Sequence, residues 1–237
     1  MDSLYDDTAI LDMLSNTLVL DGGAAKRLCK RGFAEYLGVE VSKWDGKNIS
    51  GEIYLNENIT TTIKQTNARE IKVLNNDVLV DSVSYHIPDG CTKEKLFPAS
   101  TVYKNSLGGT VIVFSGDAAT SYHYTSAYGF LNETRKKQFI RLLTQYGNLP
   151  VYTPDDDEIY LKVADMSDGN TFCSLINIST DPVENIRLVC KKTPSSIDFL
   201  DCDGKFKSCE FKLENNEIFL QKSADILTPI ILKLNHQ

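Results

Sequence analysis

The chain has 237 residues, a formal net charge of −7 at pH 7, 42% hydrophobic and 24% charged residues. That is enough for one large domain or two modest ones, and it excludes global disorder. No apolar run approaches the roughly 18–20 residues that span a bilayer, so no membrane-spanning role is expected. The pI near 5.0 argues against nucleic acid as a partner, because no cationic excess is present to neutralise phosphates.

In chain order, residues 6–14 predict a short helix with Ile10, Leu11 and Leu14 on one face, and Thr17 to Leu20 a buried strand. Asp21 stands where an N-cap belongs. The stretch GAAKRLCKRGFAEYLG follows as one helix, with Ala24, Leu28, Phe33 and Leu37 near helical spacing and Gly38 as its stop. Residues 51–86 hold several extended segments, with a turn at Asn75-Asn76. ASTVYKN and TVIVFSG, separated by Ser106-Leu107-Gly108-Gly109, predict a hairpin. Asn132 opens the strongest helix signal, ETRKKQFIRLLTQYG, whose apolar stripe is Phe139, Ile140, Leu142, Leu143 and Tyr146 and whose end is Gly147. LPVY follows as a strand. A strand, a loop, a helix and another strand read as a βαβ-like unit, so the first part is expected to be α/β.

The character changes near residue 150. Residues 1–150 carry 16 basic and 17 acidic side chains, the remainder 9 and 15, and Thr153-Pro154-Asp155-Asp156-Asp157 marks a domain-entry turn. EIYLKVAD, FCSLINIS, NIRLVCK, SIDFLD, KSCEFKL, EIFLQ and TPIILKL then come at short spacing, separated by SDGN, TDPVE, TPSS, DCDG and ENNE. Seven short strands with polar turns predict a small antiparallel sandwich. The expected organisation is an α/β domain over 1–152 and an all-β sandwich over 153–237.

The N-terminus lacks a signal-peptide core, which points to the cytoplasm. Six cysteines (29, 91, 173, 190, 202 and 209) include no CxxC pair, and three histidines (86, 123 and 236) offer no zinc spacing. A two-residue turn at Asp203-Gly204 would set Cys202 against Lys205 and Cys209 against Asp198, so these sulfurs would not meet. Reduced, mostly buried thiols are expected.

Catalytic signatures are missing. There is no G-x-S-x-G or G-x-C-x-G elbow, and Cys91 in Asp89-Gly90-Cys91-Thr92 lacks the strand-to-helix context a nucleophile needs. Asp21-Gly22-Gly23 opens a helix after a strand, as an anion site would, but without the third glycine or the P-loop lysine it reads as a capped helix. No pair of carboxylates is singled out for glycoside chemistry, Asp155-Asp156-Asp157 reads as a solvated turn without calcium-loop spacing, and no cofactor or metal is expected. The most distinctive local feature is the Ser121–Tyr128 loop after TVIVFSG, where an α/β sheet places ligands. Tyr122, His123, Tyr124 and Tyr128, with Asp117 upstream, could stack on a sugar and bind its hydroxyls; the alternative is a loop packed on its own sheet. Trp44 is a weaker platform.

Three stretches carry a family resemblance: TLVLDGGAAKRLCKRGFAEYLGV; PASTVYKNSLGGTVIVFSGDA with LNETRKKQFIRLL; and the tail from SLINISTDPVENIRL to TPIILKL. Together they resemble the C-terminal region of large bacterial β-galactosidase-type glycoside hydrolases. In that family a (β/α)₈ barrel with two catalytic carboxylates precedes a glutamine-amidotransferase-like α/β domain, often used for trimerisation, and a terminal β-sandwich. The resemblance implies that this chain holds the second and third pieces, with the α/β domain short at its N-terminus and no counterpart of the catalytic acids. It implies a non-catalytic segment serving assembly or the rim of an active site. The implied partners are the barrel of a parent enzyme or sister subunits, in a homo-oligomer. The alternative is a stand-alone sugar-binding module using the 121–128 loop.

Overall fold

The computed structural model describes residues 4–90, 92–117, 132–155 and 158–236. The chain divides into two compact units, Met1–Gly147 and Asn148–Gln237.

The first unit runs α1 (Asp7–Leu14), β1 (Thr17–Leu20), α2 (Gly22–Lys30), α3 (Ala34–Leu37), β2 (Val39–Lys43), β3 (Gly51–Tyr54), β4 (Ile59–Thr61), β5 (Arg69–Val73), β6 (Leu79–His86), β7 (Glu94–Lys104), β8 (Thr110–Phe114) and α4 (Glu133–Tyr146). Six strands form one sheet in the order β1-β8-β7-β6-β3-β4, and β2 pairs with β5 in a separate ribbon. Only β1 and β8 run parallel; every other pairing in the unit is antiparallel.

This overturns the α/β amidotransferase-like expectation. Among the described residues the molecule is β-rich, with seventeen strands in four sheets and four helices. The βαβ reading fails at a particular place. The strand after α4 is Val151–Tyr152, and it does not return to the first sheet. It pairs instead with Val189 and Cys190 in the second unit. A helix followed by a strand is a crossover only if both strands share a sheet, and local pattern does not carry that information.

Helix signals fared better because caps are local. Asp21 accepts a hydrogen bond from the Ala24 amide, and Asn132 one from the Arg135 amide. Gly38 ends α3 in the left-handed conformation at φ 70. A Cβ there would lie 2.6 Å from the Tyr103 ring, so glycine is required on two counts. The single helix expected over 23–37 is broken into α2 and α3 at Arg31–Phe33, with Gly32 at φ 93.

One face of the six-stranded sheet carries the apolar core. There Ile10 and Leu14 of α1, Ala25 of α2, Leu37 of α3 and Val39, Val41 and Ile71 of the ribbon pack with Val111 and Val113 of β8. On the opposite face α4 sets Leu142, Phe139 and Tyr146 against Val102, Ile112 and Phe114.

The second unit contains β9 (Val151–Tyr152), β10 (Ile159–Asp165), β11 (Thr171–Asn177), β12 (Arg187–Cys190), β13 (Ser196–Leu200), β14 (Phe206–Ser208), β15 (Phe211–Glu214), β16 (Glu217–Leu220) and β17 (Pro229–Asn235). A five-stranded antiparallel sheet, β10-β11-β17-β13-β14, and a four-stranded one, β15-β16-β12-β9, share a core of Cys173, Leu175, Leu188, Ile218, Leu232 and Leu234. The alternation of β11, Thr171 to Asn177, buries every second residue, as one face toward a core demands. KSCEFKL is two strands, not one: Phe206–Ser208 edges the first sheet and Phe211–Glu214 the second. The Asn215-Asn216 turn has both residues at positive φ, as a two-residue type I′ hairpin requires.

The Cys202 turn differs from expectation by one residue. Asp201 and Lys205 close a three-residue loop in which Gly204 takes φ 77, so Asp198 faces Ser208 rather than Cys209. A three-residue loop with a left-handed glycine shifts the register in this way.

Among the described residues, Cys29, Cys173, Cys190, Cys202 and Cys209 are free thiols, and Cys202 is the exposed one. Burial pushes the thiols of Cys173 and Cys190 up to about 12 from an ordinary value of 9.0. A raised pKa means that the neutral thiol is favoured in the fold. The stability this contributes is present below about pH 9 and is lost as pH rises toward 12. A thiol-reactive dye at pH 8 is therefore expected to label Cys202 rapidly and Cys173 and Cys190 only after unfolding. Equal rates for all three would refute that burial.

Candidate functional site

Of the residues singled out from sequence, Asp117 is described; Tyr122, His123, Tyr124 and Tyr128 lie outside the described residues, as does Cys91. Asp117 sits where β8 leaves the parallel pair, beside the start of α2. The two strand ends are tied together by the Gly22 amide donating to Gly116 O at 2.6 Å. A Cβ on Gly22 would fall 2.2 Å from Ser115 O, so this approach needs glycine. A Cβ on Gly23 would fall 3.1 Å from Asp117 Oδ2, which places the Asp117 carboxylate against the first turn of α2.

Asp117 is 6% exposed and pairs with Arg69, whose Nη2 lies 3.3 Å from Oδ2. Gln65 stitches the strand ends, donating from Nε2 to Ala99 O at 2.9 Å while its Oε1 accepts from the Gly116 amide. The positive end of α2 thus faces two carboxylates of this chain, Asp21 and Asp117. An external anion would meet both, so Asp21-Gly22-Gly23 acts as a capped helix start. At this edge the guanidinium and the carboxylate are paired with each other.

Other candidates are absorbed by packing. Trp44 donates from Nε1 to Lys47 O at 2.8 Å, and its ring lies 4.8 Å from that of Phe97. Asp155 is ion-paired with Arg187, and Asp156 and Asp157 lie outside the described residues. No group of three or more potential metal ligands occurs among the described residues. No helix there is long and apolar enough to cross a membrane.

A buried polar layer among the described residues was missed by sequence reasoning. Beneath α4, Arg135 Nη2 donates to Glu52 Oε1 at 2.6 Å, and both side chains are 1% exposed. Gln138 donates to Asp81 Oδ2 at 2.6 Å and to Ser100 Oγ at 2.9 Å. Arg141 Nη2 reaches both Asp81 oxygens at 2.9 Å, and its Nε reaches Glu57 at 2.8 Å. Ser82 links Glu52 to Ser100. A register shift in β6 between Val80 and Ser82 accompanies the inward aim of Asp81, as bulges re-aim side chains. The Arg135 guanidinium also lies 5.3 Å and 5.1 Å from the ring centroids of Tyr54 and Phe114, and burial raises the Tyr54 phenol pKa, with the Glu52 charge adding to it.

The signal for this layer was present as Arg135, Gln138 and Leu142 at helical spacing. However, the apolar-stripe rule assigns the first two to solvent unless their acidic partners on the sheet are known. The layer binds α4 to the sheet. Its carboxylates are paired with arginines.

A cleft of about 360 Å³ lies where the ribbon meets α2 and α3, lined by Cys29, Lys30, Glu40, Ser42, Glu70 and Lys72 among others. Its charges are mixed, and burial holds the Cys29 thiol above its ordinary pKa.

Comparisons with known proteins give fold likeness. No protein-family model matches the chain, and no curated protein matches it in sequence. Among solved structures it is similar to alpha-L-fucosidase isoenzyme 2 from Paenibacillus thiaminolyticus, at 12% identity and a TM-score of 0.57. The match takes in 98% of this chain and 39% of that one, so the chain spans well under half of its neighbour's length. The named neighbour is a fucosidase, not a β-galactosidase, and at this identity the likeness carries the fold alone.

Proposed function

We propose that the chain is a non-catalytic accessory part of a glycoside-hydrolase system, contributing to assembly or to the rim of an active site that a catalytic barrel supplies. The observation that carries this reading is the fold correspondence along nearly the whole chain with 39% of a fucosidase. The buried carboxylates support it: Glu52, Asp81 and Asp117 each pair with an arginine of the same unit. Sister subunits of a homo-oligomer are the other partners this reading allows.

The test has two arms. Purified protein is incubated with aryl α-L-fucosides and β-galactosides, and the source DNA upstream of the Met1 codon is read. The expected result is hydrolysis no faster than a blank, together with an in-frame stretch encoding βα repeats. Turnover that survives stringent purification would overturn the reading. A blank assay without such a stretch, with fucose or galactose raising the melting temperature by mass action, would transfer the function to a stand-alone sugar-binding module using the 121–128 loop.

A further inference from the structure

Apart from glycines, the described residues with positive φ are Asn58, Asn67, Asn185, Asn215, Asn216 and Leu227. Asparagine suits the left-handed region because its short polar side chain bonds locally; a bulky apolar side chain is strained there. Leu227 takes φ 55 and is 70% exposed, so the second unit gains neither backbone ease nor core packing from it. It does not stand alone. Asn177 and Ile226 form a parallel bridge, and the Leu227 amide donates to Asn177 O at 2.9 Å. Ile178 and Leu227, one step beyond the bridge on each segment, are thus neighbours, and Ile178 and Ile226 are themselves exposed. Asn177 is fully buried and donates from Nδ2 to Asp181 O at 2.7 Å and to Ala224 O at 2.9 Å. Val183 and Ala224 exchange amide hydrogen bonds at 3.0 and 2.8 Å. The three apolar side chains therefore stand on a laced, preorganised platform, as an interface anchor requires. The charged residues within 177–185 and 223–229 are Asp181, Glu184 and Asp225, all exposed, so the apolar centre has an acidic rim.

A surface of the opposite character lies on the first unit. α2 carries Lys26, Arg27 and Lys30 and no acidic residue. Arg27, Lys30 and the C-cap Arg31 fall within one turn of each other, on neighbouring positions of the helix surface. Arg31 Nη1 donates to Tyr5 O at 3.0 Å, which brings the exposed Leu4 and Tyr5 to this end of the helix. The acids of that segment are engaged locally: Asp6 caps α1, and Asp7 pairs with Arg31. An apolar pair beside the cations Arg27 and Lys30 results.

We propose that Leu227, with Ile178 and Ile226, docks on Leu4 and Tyr5 of a second copy of this chain, with Asp181, Glu184 and Asp225 facing Arg27 and Lys30. Opposite rims attract and like rims repel, which favours this head-to-tail pairing over the meeting of two acidic ends. The two surfaces differ, so the contact is heterologous. It gives a surface to the sister-subunit arm of the accessory reading and rests on that arm alone. A chain that stays monomeric loses this contact and keeps the barrel as its partner.

Sedimentation velocity of the full chain over a concentration series tests it. Self-association that weakens as salt rises is expected, because exposed charges are screened; a chain still monomeric at about 100 μM overturns the proposal. Leu227→Asn installs the residue found at the other left-handed positions outside glycine. It is expected to weaken association at least about tenfold, while the melting temperature stays level or rises. Unchanged association, or a lower melting temperature that marks a structural leucine, overturns the proposal. Arg27→Glu with Lys30→Glu disables the other surface. Mixed with the Leu227→Asn chain, this variant is expected to form a one-to-one complex, since each chain keeps the surface the other has lost. A mixture that does not associate overturns the head-to-tail pairing.

Discussion

Replacing Arg135 by methionine is expected to lower the unfolding free energy of the first unit by about 3–5 kcal/mol. The guanidinium is as buried as its partner Glu52, each 1% exposed. It also bonds Gln138 and lies against the rings of Tyr54 and Phe114. Methionine keeps much of the apolar stem but leaves the Glu52 carboxylate uncompensated in a closed interior, and that uncompensated charge is the source of the cost. The pair itself is worth less than its breakage, since desolvation of both ions opposes their attraction. The double change Arg135→Met with Glu52→Gln should therefore recover part of the loss. Urea titration followed by far-ultraviolet dichroism, with hydrogen exchange read on α4, measures both. A loss below about 1 kcal/mol for the single variant, of the size seen at exposed ion pairs, would show that Glu52 finds water or another cation and that the layer is not sealed.

The second large effect lies in the sandwich. Leu232 on β17, the central strand of the five-stranded sheet, is fully buried, opposite Cys173 on one side and Phe199 on the other. Leu232→Ala is expected to cost about 2–5 kcal/mol, the lost transfer energy plus a cavity that strands paired on both edges cannot collapse. Leu213→Ala on β15, where the side chain is 46% exposed, should change stability by less than about 0.5 kcal/mol. Denaturant midpoints of the two variants decide the matter. Equal losses would mean that the shared core does not run through β17.

Both predictions rest on features that differ in how far the sequence announces them. Leu232 sits in TPIILKL, whose apolar alternation marks a strand with one buried face. Arg135 shares its buried helix face with Gln138 and Leu142, and only the carboxylates of β3 and β6 explain why a charged side chain stands there. The same contrast holds at the candidate site. That TVIVFSG is a strand and that Asp21 caps a helix follow from the sequence; that the two ends meet follows from the parallel pairing of β1 with β8. The pairing of Asp117 with Arg69, 48 residues earlier in the chain, was not legible, because no local pattern brings the start of β5 to the end of β8, where the Arg69 amide donates to Ser115 O. Tyr122, His123, Tyr124 and Tyr128 remain a proposal about sugar contact that rests on composition alone.

What the sequence determined by itself is local. It set the Asp21 and Asn132 caps, the left-handed stop at Gly38, the hairpin around Gly108-Gly109 and the short-strand rhythm after residue 158. Each depends on backbone geometry within a few residues, so a side chain or a glycine in place is sufficient cause. The tertiary structure decided which strands share a sheet. It sent Val151–Tyr152 to β12 rather than back beside β8, split KSCEFKL between two sheets and buried an arginine against a glutamate 83 residues away. Those outcomes depend on partners remote in the chain, since a strand's unpaired edge and a buried charge are satisfied by whichever group the packing brings within hydrogen-bond reach.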